Sequence, residues 1–250
     1  MHVTVLGAGT AIPTPGYSPA GIYVQLGRER ILLDAGAGSL QRLATRGVGF
    51  LSLDRAFLTH FHLDHCLDLL SLLFARRIPS PTHKPPLAIY GPRGLRQLHR
   101  QLNRAFHGWV GPRGYRLTLR ELGETTLRLA GYTVTSRPMR HYDTGAIGYR
   151  ITAAGRSLAY SGDTDTCRAI VELGRGADVL ILDCSVPDER KVEGHLTPSE
   201  CGRIAAEAGC RHLVLTHFYP VFRGTDIRRR VRRAFRGRLT LARDFTSIHL

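Results

Sequence analysis

Lysine is nearly absent from this chain. Of its 35 basic residues only Lys84 and Lys191 are lysines, and the other 33 are arginine. Paired thiols are missing as well. Cys66, Cys167, Cys184, Cys201 and Cys210 are scattered, odd in number and without a CxxC spacing, which excludes a disulfide framework and points to a reducing compartment. Long apolar runs are also lacking. The stretch Leu67 to Ala75 is broken by Asp68 and Ser71, far short of the roughly 18–20 apolar residues a membrane helix needs. Met1 to Gly9 is too short and too soon interrupted by glycine for the apolar core of a signal peptide, so a soluble, cytoplasmic protein is expected. Acid is scarce too: 20 Asp plus Glu leave a net charge of +15. That excess favours anionic partners such as phosphates or nucleic acid. It is equally what arginine used throughout the chain would produce.

What is present is globular. Apolar residues are 43% and charged residues 22% of 250 positions, and no Ser- or Pro-rich linker divides them, so one domain over residues 1–250 is expected. Strand-like runs fall at 2–6, 21–26, 30–34, 55–59, 87–90, 115–120, 125–130, 132–138, 146–153, 157–160, 178–183, 212–215 and 239–241. Helical spacing appears at 38–47, 67–77, 95–106, 199–208 and 226–235, with Pro79 and Pro81 ending the second of these. The tetrad Phe57-Leu58-Thr59-His60 is echoed by Val214-Leu215-Thr216-His217, as two αβ halves packed sheet to sheet would produce. The fold class is α/β.

Chemistry concentrates at residues 59–65, Thr-His-Phe-His-Leu-Asp-His, where His60, His62, Asp64 and His65 follow an apolar strand. Imidazole and carboxylate donors suit Zn²⁺, and the lack of thiolates argues against an iron–sulfur cluster. His60 and His62 alternate toward one ion, while Asp64 and His65 face a second. His141, Asp163 and His217 each stand at the end of a later strand and complete two sets of three ligands with one shared carboxylate.

These ordered motifs resemble the metallo-β-lactamase superfamily, and the resemblance covers essentially the whole chain. It implies a four-layer αβ/βα sandwich with two Zn²⁺ ions, or Mn²⁺, at the sheet ends. By position, His60, His62 and His141 would hold the first ion and Asp64, His65 and His217 the second, with Asp163 and a hydroxide between them. Flavodiiron members carry Glu at the place of His62, so dioxygen reduction is disfavoured. Two further segments resemble the ribonuclease Z branch and its small phosphodiesterase relatives: Leu6 to Gly16, and Glu193-Gly194-His195-Leu196-Thr197-Pro198 with the helix after it. In that branch the residue at His195 binds the scissile phosphate and protonates the leaving oxygen. Asp64 and His195 are therefore the expected catalytic residues, with His195 also contacting substrate.

Two departures from the branch stand out. Its Glu partner of that histidine falls at Asp183 or Cys184, and Cys184 lacks any motif of a nucleophile. Only 22 positions separate His141 from Asp163, room for a hairpin but not for the long arm that grips tRNA. The expected activity is a metal-bridging hydroxide attacking a phosphodiester, RNA or a small diester. The alternatives are a lactone, carboxyl-ester or sulfate-ester hydrolase on the same site, or a nucleic-acid-binding protein with a degenerate one. A homodimer is a further possibility. The arginines at 93–104 and 228–236 are read first as solvated helix faces.

Overall fold

A computed structural model describes residues 1–78, 84–222 and 224–250. The strands are β1 His2–Gly7, β2 Gly21–Leu26, β3 Glu29–Ala35, β4 Arg55–Phe57, β5 Leu87–Gly91, β6 Leu117–Glu121, β7 Thr125–Leu129, β8 Tyr132–Pro138, β9 Ile147–Ala153, β10 Arg156–Tyr160, β11 Val179–Asp183, β12 His212–Thr216, β13 Arg238–Leu241 and β14 Ser247–His249. The helices are α1 Ser39–Thr45, α2 Leu63–Arg77, α3 Leu95–Ala105, α4 Arg168–Gly174, α5 Pro198–Ala208 and α6 Ile227–Val231.

Period-two apolar patterning builds two seven-stranded sheets, ordered β14-β1-β2-β3-β4-β5-β6 and β13-β12-β11-β10-β9-β8-β7. In β3, Ile31 and Leu33 face the opposite sheet while Leu32 faces the helices; β11 divides Val179 and Ile181 from Leu180 and Leu182 in the same way. One apolar core therefore lies between the sheets, and a second and third lie under the helices, which gives the αβ/βα sandwich. Each sheet has three antiparallel pairings followed by three parallel ones. The parallel strands β4, β11 and β12 are buried on both faces and send their C-terminal ends to one edge, where ligand sites of α/β sheets form. The Leu-Thr-His echo follows β4 and closes β12, fifth and sixth when each sheet is counted from its antiparallel edge, so it marks a shared edge rather than equivalent strands.

Helix α2 begins at Leu63, four residues before the periodicity indicates, so Asp64 and His65 lie in its first turn rather than in a loop. A carboxylate is favourable there against the helix dipole. Its expected stop at Pro79 and Pro81 lies outside the described residues. The Lys84 ammonium donates to the carbonyls of Arg76 and Ile78 at the helix end. Helix α5 opens on a capping box between Thr197 and Glu200 and closes on left-handed Gly209. Helix α6 covers only 227–231 of the expected 226–235. Arg228/Arg232 and Arg229/Arg233 are like charges at i,i+4, which weakens the helix beyond that point. Helix α4 and strand β14 are too short to be marked by periodicity. The arginines at 93, 96, 100 and 104 are exposed, as expected of a solvated face. Among the described residues no helix is long and apolar enough to cross a membrane.

Candidate metal centre

The seven sequence-marked donors converge at the edge where β4, β10 and β12 end. His60, His62, His141 and Asp163 have donor atoms within 4.8 Å of one another, and so do Asp64, His65 and His217. Asp163 joins the sets: its Oδ1 is 3.3 Å from His65 Nε2, and its Oδ2 is 3.4 Å from His217 Nε2 and 3.8 Å from His141 Nε2. His60, His65, His141, Asp163 and His217 are buried, Asp64 is half-buried and His62 is exposed.

Each buried ring is oriented from behind. His65 Nδ1 donates to Asp34 Oδ2 at 2.8 Å, and His141 Nδ1 donates to the Gly194 carbonyl at 2.8 Å. A carboxylate and a carbonyl only accept, so both protons must sit on Nδ1. The Thr59 hydroxyl donates to Asp34 and therefore accepts from His60 Nδ1 at 3.0 Å. The Ser185 hydroxyl donates to Asp183 and accepts from His217 Nδ1 at 3.0 Å. Nε2 of all four rings is left as a lone pair facing inward. Such outer partners are how proteins fix the tautomer and direction of metal-binding imidazoles.

The interior fits a cation. His60 Nε2 and Asp163 Oδ1 are buried without a hydrogen-bond partner, and His65 Nε2 and His217 Nε2 face each other at 3.3 Å. Buried lone pairs directed at one another are costly unless a positive charge lies among them. Burial holds the His60 and His141 imidazoles below their ordinary range, and partial desolvation by its neighbours does the same for the exposed His62. Burial opposes protonation of His65 too, but the Asp163 and Asp34 charges raise it well above that range. A divalent ion there displaces that proton. Burial works to raise Asp64, yet its contact with His217 and the charge of His65 hold it down to about 2.

Asp34 carried no signal in the sequence beyond a lone acid closing an apolar strand. It is fully buried, with φ +55°, and also accepts from Thr59 N at 2.7 Å and Tyr160 OH at 2.8 Å. Gly162 lets its loop close on this relay: a Cβ there would lie 2.6 Å from the Thr59 side chain, and its φ is +60°.

His195 stands beside the donors, buried and with its ring stacked on His217. Its Nδ1 is 3.3 Å from Asp183 Oδ2 and 3.0 Å from Ser185 Oγ. Asp183 Oδ2 also accepts from Leu196 N, so the question between Asp183 and Cys184 resolves to Asp183. Cys184 is wholly buried, and burial raises its thiol pKa, which leaves it inert. Burial lowers the His195 pKa, but the hydrogen bond to Asp183 and the charges of Asp163 and Asp183 outweigh it, and the net shift is upward. The loop is pinned along its backbone. Asp165 accepts from Gly194 N and Glu200 from Thr197 N, while the Lys191 ammonium donates to the His195 carbonyl, Asp165 and Glu200.

Residues 29–218 match the family described as the Beta-lactamase superfamily domain. The chain belongs to the metallo-β-lactamase superfamily. It is 30% identical to ribonuclease Z of Mycolicibacterium paratuberculosis over 275 aligned positions, covering 100% of this chain and 98% of that protein. It is similar in structure to the metallo-β-lactamase fold protein YhfI of Bacillus subtilis, with TM-score 0.84, 26% identity and 99% of each chain covered. Human tRNase Z, short form, matches with TM-score 0.82 and 25% identity over 100% of this chain and 99% of that one. This superfamily member is a metal-dependent hydrolase of the ribonuclease Z-like kind. Its His141-to-Asp163 segment holds only the β9–β10 hairpin.

Proposed function

We propose that this superfamily member is a binuclear zinc phosphodiesterase of the ribonuclease Z type without a tRNA-gripping arm, acting on small diesters or RNA. The observation that carries the reading is His195, held by Asp183 beside a complete donor set. His60, His62 and His141 would hold one ion, Asp64, His65 and His217 the other, and Asp163 both. Divalent ions held there acidify water and neutralise charge on the phosphoryl group. Asp64, ionised at working pH, accepts the proton of the attacking water. With Nδ1 committed to Asp183 and Ser185, His195 presents Nε2–H to the leaving oxygen and protonates it as the P–O bond breaks. A full donor set counts against a degenerate, purely nucleic-acid-binding protein. One core shared by both sheets supports a single unit over residues 1–250. Five free cysteines, four of them buried, suit a cytoplasmic setting.

For the quaternary state we propose a homodimer. Leu63, Leu67, Phe74 and Ile78 are exposed along one face of α2, beside an apolar cleft of about 560 Å³ lined by Phe74, Phe106 and Trp109. Exposed apolar side chains gathered on one face, interrupted here by Ser71, mark an interaction surface.

The functional test is hydrolysis of bis(p-nitrophenyl) phosphate, with zinc or manganese, against lactone and sulfate esters. Diester turnover that falls about 10²–10⁴-fold in Asp183→Asn and His195→Ala, at unchanged metal content, is expected. Turnover of lactone or sulfate ester without the diester would overturn the reading.

A further inference from the structure

Tyr142 is an exposed aromatic residue held in an unfavourable backbone conformation at the lip of the site. It is 56% exposed, yet its φ is +45° in the tight turn that Thr144 N closes on the His141 carbonyl at 3.3 Å. A bulky L-residue is a rare occupant of left-handed space, and such strain collects at functional sites. Glycine or asparagine would take this turn without that cost, and a ring so exposed adds little to the core. The ring is nevertheless placed with care. Gly194, itself at φ +80°, makes room for it: a Cβ there would lie 3.1 Å from Tyr142 Cε2 and 3.1 Å from His141 Nδ1. The Tyr142 ring centre is 4.8 Å from that of His141 and 6.3 Å from that of His195, edge-on to the latter. From a different loop, Tyr219 stands edge-on to His195 at 6.0 Å and to His217 at 5.8 Å. His195 is thus flanked by two tyrosine rings, of which Tyr142 is the one open to solvent.

We infer that Tyr142 is a specificity-determining residue that stacks a nucleobase next to the scissile phosphodiester. The inference rests on the phosphodiester reading above and narrows its substrate class to diesters carrying a base. A phosphate beside His195 and a planar base on the exposed Tyr142 face are joined by one ribose. Any base has a π-face, so stacking selects nucleotides over other phosphate esters without selecting sequence. The base belongs either to a small nucleotide diester or to an RNA end.

The test is calorimetric binding of AMP and of ribose 5-phosphate to the zinc-loaded protein, which keeps the phosphate and removes only the base. Wild type is expected to prefer AMP by about 5- to 150-fold, the range of one base–aromatic stack. Tyr142→Leu should erase that preference while ribose 5-phosphate affinity stays within about twofold, and Tyr142→Phe should keep it. Equal binding of the two ligands by wild type, or a preference that survives Tyr142→Leu, overturns the inference and leaves the phosphodiester reading standing. Binding of neither ligand by wild type overturns both. In turnover, a raised KM of Tyr142→Leu on a 2′,3′-cyclic nucleotide assigns the base to a small diester; the same rise on a short RNA assigns it to a polymer.

Discussion

Replacing Asp34 by asparagine should damage metal binding although Asp34 is not among the proposed ligands. The carboxylate receives four hydrogen bonds, from Thr59 N, Thr59 Oγ1, His65 Nδ1 and Tyr160 OH, and is completely buried. An amide has the same shape but only one accepting atom. If its oxygen keeps Thr59 N–H, its NH₂ meets His65 Nδ1 and the Tyr160 hydroxyl. The hydroxyl can turn round and accept. The imidazole can accept only by moving its proton to Nε2, the atom 3.3 Å from both Asp163 and His217. That nitrogen then has no lone pair for an ion. Losing one or two charge-assisted bonds at about 1.5–3 kcal/mol each, partly offset by the turned hydroxyl, should cost about 2–4 kcal/mol of stability. Loss of an outer partner of a metal-binding histidine should weaken ion affinity about 10–100-fold. Zinc competition against a chromophoric chelator measures the affinity, and urea unfolding in excess chelator measures the stability. Tyr160→Phe is the control: it removes one donor, leaves the His65 tautomer alone, and should cost about 1.5–3 kcal/mol with zinc affinity unchanged. Wild-type zinc affinity in a folded Asp34→Asn protein would refute the tautomer argument.

The remaining expectations are narrower. Lys191→Met leaves the His195 carbonyl, Asp165 and Glu200 without their shared donor, so kcat should fall about tenfold with zinc content intact; Lys191→Arg should rescue poorly, because a planar fork does not serve three such acceptors. Steady-state kinetics at saturating metal decide it, and a wild-type kcat in Lys191→Met would remove the positioning role. His212 is buried against Thr240, and burial with the nearby Arg238 charge pushes its pKa down to about 4. The unfolded chain, near 6.5, then binds the extra proton first, so stability should be full above about pH 6.5 and fall as pH drops toward 4, by about 1–2 kcal/mol after solvent screening. Urea titrations of wild type and His212→Gln at a series of pH values should differ in slope across that window, and parallel curves would contradict it. Leu67→Asp on the exposed α2 stripe should convert a dimer to a monomer with unchanged zinc content. Light scattering reads this, and a wild type already monomeric at micromolar concentration would remove the proposed interface.

Much of the site was legible in the sequence because its side chains are chemically unusual where they stand. His60, His62, Asp64 and His65 within six positions after an apolar strand signal an ion wherever the strand ends up. Alternating apolar patterning likewise marked most of the strands, since residues facing alternate layers must be apolar in register. The short elements α4 and β14 and the early start of α2 were not legible, because tertiary packing rather than local pattern stabilises them. Nor was the truncation of α6, where repulsion among arginines outweighs the apolar face that suggested a longer helix.

The scarcity of lysine acquires a local meaning in the folded protein. Lys84 and Lys191 both stand where one compact ammonium serves several oxygens, a geometry the planar guanidinium meets poorly. By itself the amino-acid sequence determined the α/β class and the donor types, because patterning and residue chemistry are local properties of the chain; the layered sandwich and the missing arm followed from its resemblance to the family. Only the tertiary structure decided that Asp34 sets the protons of two histidines, that Asp183 rather than Cys184 holds His195, and that Tyr142 stands at the lip of the site. Those roles depend on atoms meeting across β3, β4, β10 and β11, residues up to 126 positions apart, and no spacing along the chain encodes such a meeting.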